Sequence, residues 1–161
     1  MKKQRSRRPV LRVSAVLVAA LALVPAAIAA GGGKLQGEFI AEVQATKASF
    51  PVDKTPVERA YEFECLNRKC SSVRFKREGG DGVYKSKLSE GKDGVFTGTE
   101  RFDDDGCPDS DANGRREIEH EVTIKKVKSG KVKKIAGTSN YAWPQCEGDP
   151  TQTTKFTAVP K

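Results

Sequence analysis

Apolar and polar residues alternate along most of the chain beyond residue 35. Alternation with period two is typical of half-buried strands, and the Gly, Pro, Asp and Asn clusters between the runs mark turns. The pattern predicts eight strands, at residues 36–45, 57–65, 71–77, 83–89, 94–102, 115–126, 131–141 and 152–159. Most connections are short. We therefore expect an all-β, antiparallel, up-and-down meander that forms a small barrel, with a β-sandwich as the alternative.

The same alternation assigns an inner and an outer face to each strand. In the sixth predicted strand, Ile118 and Val122 share a face with His120, while the glutamates between them face the other way. The single histidine is therefore expected on the core side, as a satisfied core or rim residue. Glu100 and Arg59 are also expected to point inward, where they could form an ion pair.

The first 29 residues have the composition of an export signal. Met1 to Arg12 carries six cations and no acid, Val13 to Val24 is almost wholly apolar, and Ala27-Ile28-Ala29 offers the small residues of a cleavage site. Cleavage would leave one secreted β-domain, residues 30–161. The alternative is an uncleaved anchor, but a spanning helix needs about 20 strongly apolar residues and this run is largely alanine.

The basic region contains Ser6-Arg7-Arg8-Pro9-Val10-Leu11-Arg12, which resembles a twin-arginine export signal. Val10 stands where that pattern usually has Phe. An ordinary secretory signal that happens to place two arginines together explains the same residues, and the two export routes stay open.

Removing the signal changes the meaning of the net charge. The chain has 29 Lys plus Arg against 21 Asp plus Glu, a net of +8, and six of those cations lie in the signal. The remaining domain has a net charge of only about +2, so the basic composition gives no support for nucleic-acid binding. The sequence predicts no nucleic-acid partner and no membrane span after cleavage, and it predicts a monomer.

The four cysteines all lie beyond the signal, at Cys65, Cys70, Cys107 and Cys146. An even number in an exported chain favours two disulfides over a zinc site or a redox pair. In an up-and-down meander, the loops at residues 103–114 and 142–151 meet at one end, whereas residues 66–69 form a hairpin at the other. This arrangement predicts the pairs Cys65–Cys70 and Cys107–Cys146.

An acidic loop near the middle of the chain is a candidate calcium site. Asp109, Asp111 and Asn113, followed by Gly114, reproduce the first half of a D-x-D-x-N-G calcium loop. The second half departs from that pattern because the twelfth position is His120 instead of glutamate. The candidate ligands are Asp103, Asp105, Asp109, Asp111 and Asn113. The alternative is a solvated acidic loop, and calcium is the one cofactor that the sequence suggests.

A lysine-rich hairpin is a candidate contact for an anionic surface. Its cations are Lys125, Lys126, Lys128, Lys131, Lys133 and Lys134. Such a cluster would suit a cell-wall polymer, a phospholipid face or an acidic protein. Solubility and protection of a sheet edge explain it as well. Aromatic residues do not interleave with these lysines, so base stacking is poorly supported.

Two aromatic residues, Tyr141 and Trp143, enter the loop that carries Cys146. If exposed, they would be suitable binding anchors. The alternative is that Trp143 closes the barrel mouth or packs on the disulfide.

Short motifs resemble those of small exported β-barrel domains of unknown function from bacteria with thick cell walls. They are the early cysteine hairpin, Ile135-Ala136-Gly137-Thr138, the Trp143-Pro144-Gln145-Cys146 loop and the terminal strand at residues 153–158. The resemblance implies a barrel and export, and it implies no site residues. Lipocalin-like and avidin-like barrels share the eight-strand plan, but Gly37-Glu38-Phe39 lacks the tryptophan that a lipocalin usually has there.

The predicted function is therefore a binding or structural role. No G-x-S-x-G elbow is present, and the cysteines are expected to be oxidised, so we expect a non-catalytic secreted domain, extracellular or associated with the cell wall. The alternative is a barrel that carries a small molecule in an internal cavity, and a secreted enzyme is the third reading.

Overall fold

The computed structural model describes residues 33–79, 82–108 and 110–161, without the side chain of Asp104. The predicted export signal at residues 1–29 lies outside the described residues. The described chain forms eight strands and one 3-10 turn. The strands are β1 (Gly37–Ala48), β2 (Val57–Cys65), β3 (Ser72–Gly79), β4 (Gly82–Glu90), β5 (Val95–Gly106), β6 (Asn113–Lys128), β7 (Lys131–Ala142) and β8 (Thr151–Pro160), and the turn is Lys92–Gly94.

The strands form a closed antiparallel barrel in chain order, with β8 pairing back to β1. The predicted up-and-down barrel is confirmed, and the sandwich alternative is wrong. Strand positions agree closely with the alternation. The main difference is that β5 and β6 extend further toward each other than expected, which shortens the acidic connection between them.

Successive connections fall at alternate ends of the barrel. The long-loop end holds residues 49–56, 107–108, 110–112 and 143–150, together with Gly79 and Gly82, where β3 ends and β4 begins. The lysine end holds residues 66–71, 91–94 and the two-residue turn Ser129–Gly130. The acidic loop and the lysine hairpin therefore lie at opposite ends of one small barrel.

Aromatic side chains fill the half of the barrel nearer the lysine end. Phe63 stacks on Phe75 with ring centroids 4.8 Å apart, and Phe39 meets Phe63 edge to face at 5.6 Å. Leu35, which precedes β1, is fully buried and belongs to this cluster. Full burial of such side chains contributes about 1.5–3 kcal/mol each relative to exposure. This packed half is the apolar core of the barrel.

The β4–β5 pairing is the shortest in the barrel, with a ladder of two residue pairs, Ser89 with Thr97 and Glu90 with Phe96. Gly98 lies against the carbonyl of Lys87, where the Cβ of any other residue would collide with it. Further along, the two strands are joined by side chains instead of backbone hydrogen bonds. Ser86 donates to Glu100 there, and the Tyr84 and Phe102 rings meet edge to face at 5.5 Å.

Two disulfides, Cys65–Cys70 and Cys107–Cys146, join the expected partners. The first closes the β2–β3 hairpin, with Cα atoms 4.7 Å apart. The second joins the β5–β6 and β7–β8 connections, with Cα atoms 5.7 Å apart. Two disulfides indicate an oxidising, extracellular-type environment.

The two disulfides should contribute unequally to stability, because they close loops of different length. Their sequence separations are 39 for Cys107–Cys146 and 5 for Cys65–Cys70. On the chain-entropy model, replacing both members of the longer bridge by Ala should cost about 4 kcal/mol of unfolding free energy, and the shorter bridge about 2 kcal/mol. Urea unfolding of the two double variants measures this difference. Equal losses would contradict it.

Candidate functional site

A buried polar cluster lies at mid-height in the barrel, just above the aromatic core. Arg77 of β3 donates from Nη1 and Nη2 to the two carboxylate oxygens of Glu100 of β5, at 2.6 and 2.7 Å. The side chains of Arg77 and Glu100 are only 9% and 6% exposed. Ser86 of β4 also donates to this carboxylate. A guanidinium that donates two parallel hydrogen bonds to one carboxylate forms one of the strongest polar contacts in proteins.

The predicted partner of Glu100 was wrong. Glu100 points inward as expected, but Arg59 is exposed near the long-loop end of β2, and Arg77 holds the carboxylate. Arg77 continues the inward phase of Val73 and Phe75, so the alternation contained the signal for its position. The pairing itself depends on how β3 and β5 face each other across the barrel, which the alternation within one strand does not report.

His120 of β6 completes the cluster from the other side. Its Nδ1 lies 2.8 Å from the Ser139 hydroxyl, and its Nε2 lies 3.7 Å from Glu100 Oε1, too far for a hydrogen bond. Burial lowers the pKa of His120, although the nearby Glu100 carboxylate opposes that shift. Burial alone would raise the pKa of Glu100, but Arg77, His120 and Ser86 around the carboxylate hold it well below its usual range. The histidine is therefore neutral near pH 7, beside an ionised glutamate.

Ser139, His120 and Glu100 follow the order of a serine–histidine–acid array. The side chains of His120 and Glu100 are 1% and 6% exposed, and Ser139 as a residue is 4% exposed. Glu100 is also fully engaged by Arg77. Together with Arg77, the array therefore links side chains of four strands across the barrel interior, and it does not present a nucleophile to solvent.

Breaking the Arg77–Glu100 pair from one side should strongly destabilise the protein. Glu100→Leu leaves a guanidinium buried without its carboxylate, and this class of change typically costs about 3–5 kcal/mol. The double variant Arg77→Met/Glu100→Leu removes both charges and should recover most of that loss. Urea unfolding of both variants and of Arg77→Met completes a double-mutant cycle. A double variant that is less stable than either single variant would contradict the assignment.

Stability should fall as the pH falls, in two steps with the same sign. The pKa of His120 is lowered from 6.5 in the fold, so the unfolded chain binds that proton more readily, and stability declines as the pH drops below about 6.5. The pKa of Glu100 is lowered from 4.5, so a second decline begins below about 4.5. His120 is the only histidine. The variant His120→Gln should flatten the curve between about pH 7 and 5, measured as urea midpoints, and an unchanged slope would contradict this account.

A cavity of about 240 Å³ opens above this cluster at the long-loop end. Three arginines and three tyrosines contribute to its wall: Arg59, Arg77, Arg116, Tyr61, Tyr84 and Tyr141. Arg116 stacks over Phe102, with its guanidinium carbon 4.8 Å from the ring centroid, and its Nε lies 3.3 Å from Asp105 Oδ2. None of these arginines was a predicted binding residue, because they lie on three different strands far apart in sequence and only barrel closure brings them together.

Trp143 packs inside this end of the protein and is not an exposed anchor. It is 6% exposed, forms a cluster with Cys107 and Cys146, and meets Phe50 edge to face at 5.6 Å. Trp143 as a binding residue is therefore a wrong prediction, and the packing alternative is correct. Tyr141 is half-buried, stacks on Trp143 at 6.2 Å and lines the cavity.

The predicted calcium ligands are not gathered around one point among the described residues. Asp103 accepts hydrogen bonds from Arg101 and Arg115 at 3.1 Å, and Asp105 faces Arg116 and accepts from Trp143 Nε1 at 3.4 Å. Asp111 and Asn113 are exposed, and Asp109 lies outside the described residues. Within the described ranges, no group of three or more His, Cys, Asp or Glu could hold a metal ion. Calcium binding stays a prediction.

The lysine hairpin extends beyond the closed ring of the barrel. The β5–β6 ladder stops at Thr123, and the β7–β8 ladder begins at Ile135, so residues 126–134 pair almost entirely with each other. The turn residues Ser129 and Gly130 have φ values of 50° and 70°, which suit a two-residue hairpin turn. One isolated bridge joins Lys131 to Lys34, outside the named strands.

Like charges face each other across this hairpin. Lys126 lies opposite Lys134, and Lys128 lies opposite Lys131. All six predicted lysines are exposed, and no acidic group in the described part of the chain lies within ion-pair distance of them. Lys34, Lys131 and Lys133 also line a groove of about 460 Å³ at the same end. Directly opposed like charges are destabilising, so the fold does not benefit from this arrangement.

Comparison with protein-family models, with curated protein sequences and with solved structures finds no match to this chain. In the described residues, no helix has the length and apolar character needed to cross a membrane.

Proposed function

We propose that the protein is a non-catalytic secreted binding domain that attaches through its lysine end to an anionic polymer of the cell envelope. The observation that carries the proposal is the register of the hairpin, which sets lysine opposite lysine twice, with no acid of the described residues within ion-pair distance. An arrangement that costs stability without a compensating contact is typical of a surface that serves binding.

The position of the lysines makes them available to a large partner. The hairpin tip extends past the barrel ring, so its cations are not shielded by neighbouring strands. The acidic loop lies at the other end, where Asp103 and Asp105 are engaged by arginines. An anionic partner approaching the lysine end therefore meets the cationic pole of the molecule first, which favours both encounter and orientation.

The chemistry of the hairpin favours a polymer over a lipid bilayer or a protein. Lysine presents a compact charge on a flexible stem, which suits repeating phosphate or carboxylate groups of irregular spacing. The apolar residues of the hairpin, Val127 and Val132, face the protein interior and are half-buried and buried. They would not insert into a membrane, and no aromatic residue occurs in the hairpin to anchor a protein interface.

The proposal predicts salt-sensitive binding that depends on the hairpin. We expect the intact domain to bind long-chain polyphosphate, with an affinity that falls steeply as NaCl increases. The variant Lys126→Gln/Lys128→Gln/Lys131→Gln/Lys134→Gln should bind at least about tenfold more weakly, since each cation near an anionic surface contributes on the order of 1 kcal/mol. Binding is measured by titration calorimetry at several salt concentrations.

A matched control removes four cations from the barrel wall. The variant Lys47→Gln/Lys85→Gln/Lys87→Gln/Lys155→Gln has the same net charge, and all four positions are exposed. It should keep most of the affinity. Equal losses in the two variants would refute a hairpin site. Binding to phosphatidylglycerol vesicles but not to polyphosphate or polyglutamate would assign the lysine end to a lipid surface instead.

A further inference from the structure

The cavity at the long-loop end of the barrel interior is the second feature that suggests binding. The aromatic core occupies the half nearer the lysine end, and the Arg77–Glu100 cluster caps it. Above that cap, the cavity of about 240 Å³ opens toward the long-loop end. A water molecule occupies about 30 Å³ of liquid, so this space corresponds to about eight waters. It is smaller than the pockets of about 300 Å³ and more that hold drug-sized ligands. Only a compact ligand would therefore fit this cavity.

The charges around the cavity leave one cation uncompensated. Arg77 is neutralised by Glu100, and Arg116 lies beside Asp105. Arg59 is exposed at the rim, and no acid among the described residues lies within ion-pair distance of it. Glu78 also lines the rim and is exposed. One guanidinium can neutralise a singly charged anion, whereas the second charge of a dianion would be left uncompensated near Glu78.

The remaining wall offers hydroxyl donors and apolar surface. Burial raises the pKa of Tyr61, so its hydroxyl stays protonated and can donate. Tyr84 and Tyr141 contribute further rings to the wall, and Val43 and Ile118 supply aliphatic surface. A small number of polar groups within an otherwise apolar concave surface is the usual composition of a small-molecule site.

We propose that this cavity binds a small aromatic monocarboxylate. The carboxylate would lie at Arg59, whose planar guanidinium matches carboxylate geometry, and the ring would lie against the tyrosines and aliphatic side chains deeper in the cavity. The site is at the opposite end from the lysine hairpin and does not depend on the proposed function. A molecule attached to a polymer through one end would then present a small-ligand site at the other.

Benzoate is a suitable probe, with benzamide as a neutral analogue of nearly the same shape. Titration calorimetry of the intact domain should show saturable binding of benzoate, and binding of benzamide should be at least about tenfold weaker. Arg59→Gln should weaken benzoate binding about tenfold or more, since hydrogen bonds to charged groups are worth about that factor. Arg59 is exposed, so this variant should fold, which its urea midpoint would verify.

The matched control is Arg101→Gln, an exposed arginine on the outer wall near the same end that contacts Asp103. It changes the net charge equally and should keep the affinity within about twofold. Absence of saturable benzoate binding, or equal weakening by Arg59→Gln and Arg101→Gln, would overturn the proposal. The four-lysine hairpin variant should bind benzoate as the intact domain does. If it loses benzoate binding, the anion binds at the lysine end and the cavity proposal fails.

Discussion

The buried ion pair between Arg77 and Glu100 is the contact on which the barrel interior depends. The β4–β5 ladder has only two residue pairs, so side chains must hold much of that seam together. Glu100 does so by accepting from Ser86 on β4 and Arg77 on β3 while it faces His120 on β6. A carboxylate taken out of water needs this much compensation, because an unpaired buried charge costs several kcal/mol. The cluster therefore fixes the relative positions of these four strands. It also makes the stability of the fold depend on pH.

The same cluster divides the interior into two parts with different roles. Below it, Phe39, Phe63 and Phe75 pack closely and provide the apolar burial that a barrel of this size needs. Above it, arginine and tyrosine side chains line a small open cavity. Polar groups at that height prevent the apolar core from extending to the long-loop end. The Cys107–Cys146 disulfide and Trp143 form a second packed cluster in the adjacent loops.

Charged side chains are also arranged differently at the two ends of the barrel. At the long-loop end, arginines and aspartates lie within ion-pair distance, as Arg115 and Asp103 do at 3.1 Å. At the lysine end, cations face cations and extend past the ring. Because the barrel is closed, its strands hold these two groups of charges at opposite ends of the barrel. The two proposed binding sites therefore lie at opposite ends of the same barrel.

The sequence by itself determined the fold class, the strand positions and the expected disulfide partners. These depend on local alternation and on chain order: a period of two shows which residues face inward, and an up-and-down meander decides which loops meet. It also placed Glu100 and His120 inside. Only the tertiary structure decided that Arg77, and not Arg59, holds Glu100, and that Trp143 packs on a disulfide instead of being exposed. Those outcomes depend on which inward residues face each other across a closed barrel. Alternation shows whether a side chain points inward or outward on its own strand. Which inward side chains meet across the interior depends on how the barrel closes.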